Sequence, residues 1–251
     1  MRESLGVQDW RVTTWNLQGS HGLDRSFVAE HISGERPDVF VVQEILRRQA
    51  RLLADDLAMR HVWARKHTPL PGRSEGLAIL TPHGIESSDS GVLTSAPLWS
   101  WRRRIHLRAE IRRGSDRLQL LNVHLSPHDA RERRAREVAR IDAMVDRSVG
   151  RLAIDLIAGD FNDDPSVVAA AFDRALNPVD IGAGGPPTCW APGRRTGRRP
   201  SFRADGAIAV GRLIGGRSST PETDLDRWAA VSDHLPVTLD ATCGPDPRAT
   251  A

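Results

Sequence analysis

The chain has 251 residues, long enough to bury a core without disulfides, and its 39% hydrophobic and 27% charged residues are those of an ordinary folded protein rather than a disordered one. Its two cysteines, Cys189 and Cys243, form no CxxC pair, which excludes a zinc ribbon or a disulfide framework and fits free thiols in a reducing compartment. The formal charge is only +3, yet all but one of the 35 basic residues are arginine, Lys66 being the only lysine.

No apolar run reaches the roughly eighteen residues of a membrane span. The N-terminal segment has no apolar h-region, so no signal peptide is read and a cytoplasmic location is expected. The first strand is predicted over Arg11–Leu17 and carries Asn16 at its end. A short helix fits Asp24–Ser33. A second strand, Asp38–Gln43, is followed at once by Glu44, and a helix fits Leu46–Met59. Gly76–Thr81 reads as a buried strand. Trp99, Trp101, Arg102, Arg103 and Arg104 then cluster ahead of Ile105–Arg112, whose alternation predicts a half-exposed antiparallel strand.

Leu118–Leu125 is another apolar run and carries Asn122 and His124 near its end. Asp129–Arg147 has helical periodicity, with Val138, Ile141 and Val145 on one face. Leu152–Ala158 reads as a strand followed directly by Asp160 and Asn162. Asp164, Pro165 and Ser166 suit the start of a helix over Ser166–Ala175. Gly182–Pro200 is a long loop holding Trp190, Arg194, Arg195, Arg198 and Arg199; a loop of that length is usually functional or disordered. Ala204–Val210 and Pro236–Asp240 are the last strands, with Asp205 opening the first and Asp233 and His234 just before the second. Strands dominate without βαβ alternation, which predicts a sheet-on-sheet core with helices outside. A single domain is expected over residues 1–243, with a disordered tail over 244–251.

Taken singly, each polar residue has a plain structural reading: Asn16 as a turn former, Glu44 as a helix start, Asp160 and Asn162 as loop residues, Asp233 as part of a cap. Their combination is what weighs against that reading. Each follows or precedes an apolar strand, so strands lying side by side would bring all of them to one end of the sheets.

The series WNLQG (Trp15–Gly19), VVQE (Val41–Glu44), NVHL (Asn122–Leu125), AGDFND (Ala158–Asp163), FRADGAIAV (Phe202–Val210) and SDHLPV (Ser232–Val237) resembles the endonuclease/exonuclease/phosphatase superfamily, in that order and over most of the chain. The resemblance implies a four-layer α/β sandwich, two mixed sheets packed face to face with helices on both outer surfaces. It implies a divalent metal, Mg2+ or Mn2+, held chiefly by Glu44 with Asn16 and supported by Asp233. Asp160 and Asn162 would lie beside the scissile phosphate. His234, held by Asp205, would be the catalytic histidine, and His124 would match the second histidine of the deoxyribonuclease and sphingomyelinase branches. Two departures stand out. The chain has no tyrosine, which apurinic-site endonucleases carry near the position of His124. Ala204 and Gly206 flank Asp205 where relatives often have larger residues.

The chemistry is independent of the family. A divalent cation on hard oxygen ligands neutralises a phosphate ester that would otherwise repel hydroxide. A carboxylate beside an imidazole fixes its tautomer and stabilises its charged form. Asn162 and His124 can donate to non-bridging oxygens. The arginine excess fits either an anionic partner or a compositional bias, and the clusters favour the first. Arg102, Arg104, Arg194 and Arg195 are the expected phosphate contacts, and Trp190 an expected stacking residue. The expected enzyme is a nuclease acting on DNA as a monomer. The alternative is a phosphatase or phospholipase C-like hydrolase of a small phosphoester or lipid headgroup.

Overall fold

The computed structural model describes residues 9–68, 74–94, 96–100, 102–147, 154–173, 177–191, 198–210 and 213–243. The expected tail 244–251, together with Trp101, Arg194 and Arg195, lies outside them. Two six-stranded mixed sheets pack face to face. The first contains β1 (Asp9–Asn16), β2 (Val39–Leu46), β3 (Arg60–His67), β4 (Glu75–Thr81), β11 (Leu213–Ser219) and β12 (Val237–Cys243), in the order β11-β12-β1-β2-β4-β3. The second contains β5 (Gly84–Val92), β6 (Ile105–Arg113), β7 (Asp116–His124), β8 (Leu156–Asp160), β9 (Val179–Ile181) and β10 (Asp205–Ala209), in the order β5-β6-β7-β8-β10-β9. The β1–β2 and β7–β8 pairs are parallel; the other pairs are antiparallel.

Alternate residues of the central strands fill the space between the sheets: Trp10 and Val12 of β1, Leu118 and Leu120 of β7, Leu156 and Ala158 of β8, Ala207 and Ala209 of β10. The opposite faces are covered by helices. Trp15, Phe40 and Val42 pack against residues of α1 (Arg25–Glu35), α2 (Arg47–Asp56) and α5 (Leu225–Val231). Leu121, Val123 and Ile157 pack under α3 (Arg131–Arg147) and α4 (Pro165–Ala169), and the expected face of Val138, Ile141 and Val145 is the one that α3 buries. The expected four-layer sandwich is therefore the observed fold. Among the described residues no helix is long and apolar enough to cross a membrane.

Local chemistry starts the helices where the sequence suggests. Asp24 accepts from Phe27 N at 3.0 Å at the start of α1, and Asp164 accepts from Ser166 N at 2.8 Å with Pro165 in the first turn of α4. One expectation about the strands holds, and one about the helices needs correction. The strand β6 has the expected alternation: it pairs antiparallel with β5 and β7, Ile105, Leu107, Ala109 and Ile111 are buried between the sheets, and on the other face Arg108 and Glu110 are half-buried and Arg112 exposed. The helix expected over Leu46–Met59 is shorter, Arg47–Asp56, because the extended strand continues to Leu46.

That extension passes through a β-bulge. Between Val42 and Ile45 the register with β4 shifts, and Glu44 takes a left-handed φ of 53°. Val42 and Ile45 both face the helices, three residues apart, so the extra residue turns Glu44 out of the regular alternation. Gly19 lies against this bulge: a Cβ there would meet Glu44 O at 2.8 Å. Gln49 ties the two together, accepting from Leu46 N at 3.0 Å and donating to Gly19 O at 2.9 Å.

Gly159 carries a second close approach, one residue before Asp160. Its φ is 148°, and a Cβ would come within 2.0 Å of Val123 O on the neighbouring parallel strand. Gly159→Ala is expected to cost about 2 kcal/mol or more, from backbone strain alone, and to shift the urea midpoint down. A midpoint equal to that of the wild type would show that β7 and β8 can separate freely here.

Candidate active site

Along the central strands the inward-facing side chains change from apolar to polar at one end of the sandwich. On β1 the series Trp10, Val12 gives way to Thr14 and Asn16; on β7, Leu118 and Leu120 give way to Asn122 and His124. Asp160 ends the same alternation on β8, and Asp205 opens it on β10 directly opposite Asp160. A polar layer spans the sheets beneath this end. Gln43 Nε2 donates to Thr14 Oγ1 at 3.2 Å and to Asn122 Oδ1 at 2.9 Å, and Asn122 Nδ2 donates to Val42 O and Ala78 O. Burial leaves these amides no water to bind, so they bind each other across the interface.

Asp160 is the hub above this layer. Its Oδ2 accepts from Asn16 Nδ2 at 3.0 Å, and its Oδ1 accepts from Asn162 N at 2.9 Å. His124 Nε2 lies 3.6 Å and His234 Nε2 3.8 Å from Oδ2. Asn162 sits at a φ of 52° and donates from Nδ2 to Leu125 O at 3.0 Å, which fixes the turn after β8 against the end of β7. Burial raises the Asp160 carboxyl to about 6, with Asp205 adding to the rise and His234 opposing it.

His234 Nδ1 and Asp205 Oδ2 are 2.8 Å apart. Thr188 Oγ1 donates to the same Asp205 oxygen at 2.7 Å and in turn accepts from the amides of Ala204 and Asp205. Ser232 Oγ donates to Asn16 O at 2.6 Å and accepts from His234 N, and Trp15 Nε1 donates to His234 O at 2.8 Å. On the far side of the ring, His234 Nε2 is 3.4 Å from Cys189 Sγ and 3.8 Å from Asp233 Oδ1. Burial opposes charge on this imidazole, but Asp205 and Asp160 outweigh it and hold the His234 pKa well above its ordinary value. One ligand atom each from Asp160, Asp205 and His234 lies within 4.8 Å of the others, close enough to share an ion.

Glu44 faces the opposite wall. Its Oε1 lies 3.4 Å from Lys66 Nζ and 3.7 Å from His124 Nδ1. Burial raises a carboxyl, yet Lys66, Arg104 and His234 together bring the Glu44 pKa below its ordinary value. His124 shifts the other way from His234: burial, then Lys66 and Arg104, hold it well below its ordinary value. Burial also lowers Lys66 to about 8, Arg104 adding to the drop while Glu44 and Glu75 oppose it.

All eight expected catalytic and metal-site residues thus lie at one end of the sandwich: Asn16, Glu44, His124, Asp160, Asn162, Asp205, Asp233 and His234. The expected substrate contacts divide. Arg102 is exposed. Arg104 is buried and donates from Nε to Leu125 O at 3.0 Å, so it braces the chain after His124 instead of lining an open groove. Trp190 is only 1% exposed, packed on the helix side of the first sheet with its Nε1 on Arg198 O at 2.9 Å; its indole offers no face for stacking. Among the described residues the exposed aromatics are Trp99, at 72%, and, less so, Phe202, at 36%; Trp99 lies close in sequence to Arg102. The Trp99 loop is tethered at the wall holding Lys66 and His124: Thr68 N donates to Leu98 O at 2.9 Å, and Arg104 reaches Leu125.

Several supporting residues escape a reading by strand ends. Gln43, Thr188, Ser232 and Cys189 are ordinary in type and position. Glu137 of α3 is fully buried, accepting from Ser126 N at 2.8 Å and Ser126 Oγ at 2.6 Å. Lys66 had a signal, as the only lysine among 35 basic residues.

Comparison with known proteins follows the same outline. A model described as the endonuclease/exonuclease/phosphatase family matches residues 13–234. No curated protein matches the chain. Among solved structures, the chain is similar to an endonuclease/exonuclease/phosphatase from Bacteroides vulgatus, with a TM-score of 0.74 at 16% identity over 94% of this chain and 100% of that one. It is similar to truncated Caenorhabditis elegans TDP2, with a TM-score of 0.70 at 19% identity over 94% of this chain and 98% of that one. It is also similar to a Bacteroides thetaiotaomicron mannosyl-6-phosphatase, with a TM-score of 0.69 at 15% identity over 92% and 99%. Identities this low speak for the fold alone.

The Asp160 carboxyl makes stability depend on pH. Its folded value of about 6 lies above the ordinary 3.8, so its contribution is complete below about pH 4 and is lost as pH rises through 6. Asp160→Asn removes that loss. In metal-free protein, the stability of the variant relative to wild type should rise by about 2 kcal/mol between pH 4 and pH 7.5. Denaturant melts of both proteins across this range test it, and a difference that stays flat would mean that Asp160 ionises freely in the fold.

Proposed function

The chain belongs to the endonuclease/exonuclease/phosphatase family of phosphoester hydrolases, and from that premise we propose that it is a divalent-metal-dependent phosphodiesterase that cleaves DNA. The observation that carries this reading is the pairing of His234 with Asp205 at 2.8 Å beside the buried carboxylate of Asp160, with Glu44 across the same cleft. A metal ion fits the donors. Asn16, Glu44, Asp160 and Asp233 offer hard oxygens at one end of the sandwich, the donor chemistry that a divalent cation of this class takes. Glu44 and Asn16 would hold magnesium or manganese, with Asp233 assisting, and the ion would neutralise charge on the phosphate. Asp205 is already committed to His234, so we read the Asp160, Asp205 and His234 group as catalytic machinery rather than an ion cage.

Hydrolysis requires a water oxygen to bond to phosphorus as the ester P–O bond breaks and the leaving oxygen gains a proton. We assign His234 to carry this proton: its neutral imidazole takes it from the water, Asp205 fixes the ring and stabilises the imidazolium that results, and the imidazolium returns the proton to the leaving oxygen. Asp160 and Asn162 would orient the water and the phosphate. Asn162 and His124 would donate hydrogen bonds to non-bridging oxygens. The two histidines carry opposite shifts, which divides the roles: His234 for proton transfer, His124 as a neutral donor.

Exposed Trp99 with Arg102 beside it supports a nucleic-acid substrate, since an indole stacks on any base while a guanidinium holds phosphate. A second reading has its own support. The buried cations Lys66 and Arg104 beside Glu44 suit a compact phosphate group, as a small-phosphoester phosphatase would need. A purified-protein panel separates the two: plasmid DNA, single-stranded DNA, RNA, bis(p-nitrophenyl) phosphate, inositol phosphates and mannose 6-phosphate, each with magnesium, manganese or EDTA. DNA cleavage with magnesium that EDTA abolishes is expected; turnover of monoesters alone would replace this proposal by the second.

Glu44→Ala should lower the metal-dependent rate about 100-fold or more while circular dichroism stays native. Full activity in this variant, or in wild type with EDTA, would end the metal assignment. Trp99→Ala should raise KM for DNA roughly tenfold, the worth of one stacked base, and leave bis(p-nitrophenyl) phosphate turnover unchanged. Equal effects on both substrates would show that Trp99 does not read a base.

A further inference from the structure

Lys66 is the last residue but one of β3, at an irregularity between the pairs Arg65–Gly76 and His67–Glu75, and its side chain runs inward instead of to solvent, leaving it 2% exposed. Burying an ammonium is costly unless charges and acceptors meet it. Two do. Nζ lies 3.4 Å from Glu44 Oε1 and 3.3 Å from His124 Nδ1. An ammonium has three donors and no acceptor, so the nitrogen it faces on His124 must be the one without a proton. A neutral imidazole carries a single N–H, which then sits on Nε2.

We propose that Lys66 is a positioning residue that fixes His124 as the Nε2–H tautomer, so that the ring presents a hydrogen-bond donor on the side of Asp160. The Nε2 atom lies 3.6 Å from Asp160 Oδ2, at the centre of the site. This deepens the reading of His124 as a donor to a phosphate oxygen and rests on it for its catalytic meaning.

The choice between ammonium and carboxylate matters because the two select opposite tautomers. A carboxylate at Nδ1 would take the proton there and leave Nε2 bare, an acceptor that repels phosphate oxygens. Glu44 is the carboxylate within sight of Nδ1, and at 3.7 Å it stands beyond hydrogen-bond reach, with Lys66 nearer. Glu75, the other acid beside Lys66, is occupied by His67 Nε2 at 3.4 Å. Lys66 therefore does two things at once: it partners Glu44, and it denies Nδ1 a proton.

The tautomer can be read directly, without substrate. The full chain, labelled with 15N-histidine and kept in magnesium buffer at neutral pH, would be examined by long-range 1H–15N NMR, with His124→Gln identifying the signals. The wild type is expected to show His124 protonated at Nε2 and bare at Nδ1. Lys66→Arg keeps a donor-only group and should preserve this state. Lys66→Met removes the donor; the Nδ1–H form facing Glu44 should then appear, and kcat on the preferred substrate should fall about a hundredfold to a thousandfold, as for loss of one oxyanion donor. A residue that only supported packing would leave the tautomer unchanged. Nδ1–H in wild type or in Lys66→Arg overturns the proposal, as does an unaltered Nε2–H in Lys66→Met. If Lys66→Met does not fold, the other two spectra still decide. Because the readout needs no turnover, a protein inactive on every phosphoester would overturn the proposed function and leave the tautomer assignment standing or falling on its own spectra.

Discussion

Both sheets converge on the carboxylate of Asp160. It ends a strand of the second sheet, is 1% exposed, and takes one hydrogen bond from Asn16 of the first sheet and one from the turn that follows it. A carboxyl in that position cannot be solvated, so its oxygens must be met by donors from the protein. Those donors arrive only if β1 and β8 end at the same level. The demand of one buried acid for partners therefore fixes how the sheets lie along each other, and Gln43 and Asn122 repeat the constraint one layer below.

The rest of the site is arranged around this acid as alternating charge. Lys66 faces Glu44, and Arg104 adds positive charge from the same wall; Asp205 faces His234 on the other. The two imidazoles show what such placement does. Both are buried, which by itself would neutralise both. His234 has two carboxylates at hand and keeps a high proton affinity, while His124 has Lys66 and Arg104 at hand and loses it. Identical side chains become different reagents because of which charges stand behind them. The support extends outward to α3, where buried Glu137 grips Ser126 and so steadies Leu125, whose carbonyl holds both Asn162 and Arg104.

The rim follows a different rule. Trp190 and Arg104 look from their neighbours in sequence like surface residues that could greet a substrate, but both are buried and bind backbone carbonyls. Trp190 N also donates to Asp233 O at 3.0 Å, so this tryptophan holds the chain just before His234 from behind. Trp99, in a loop of similar composition, stays exposed. Local sequence does not tell these tryptophans apart; what lies beneath each loop does.

What the sequence determined is the interior of the sheets and the position of the reactive groups along them. The eight strands legible as apolar or alternating runs are β1, β2, β4, β6, β7, β8, β10 and β12, which are the eight with a neighbour on each side. The four that left no such signal, β3, β5, β9 and β11, are the four edges. An edge strand has one flank open to water and carries polar residues such as those of Glu86–Ser90, so its pairing cannot be read from burial. Strand alternation likewise puts Asn16, His124, Asp160 and Asp205 on the inward face, since period two needs no knowledge of partners. Tertiary structure decided the rest: which ends meet, that a bulge turns Glu44 into the cleft, and that Lys66 lies against His124. The distances at that site join residues 16, 44, 66, 124, 160, 205 and 234, and contacts between such distant positions exist only once two sheets have closed on each other.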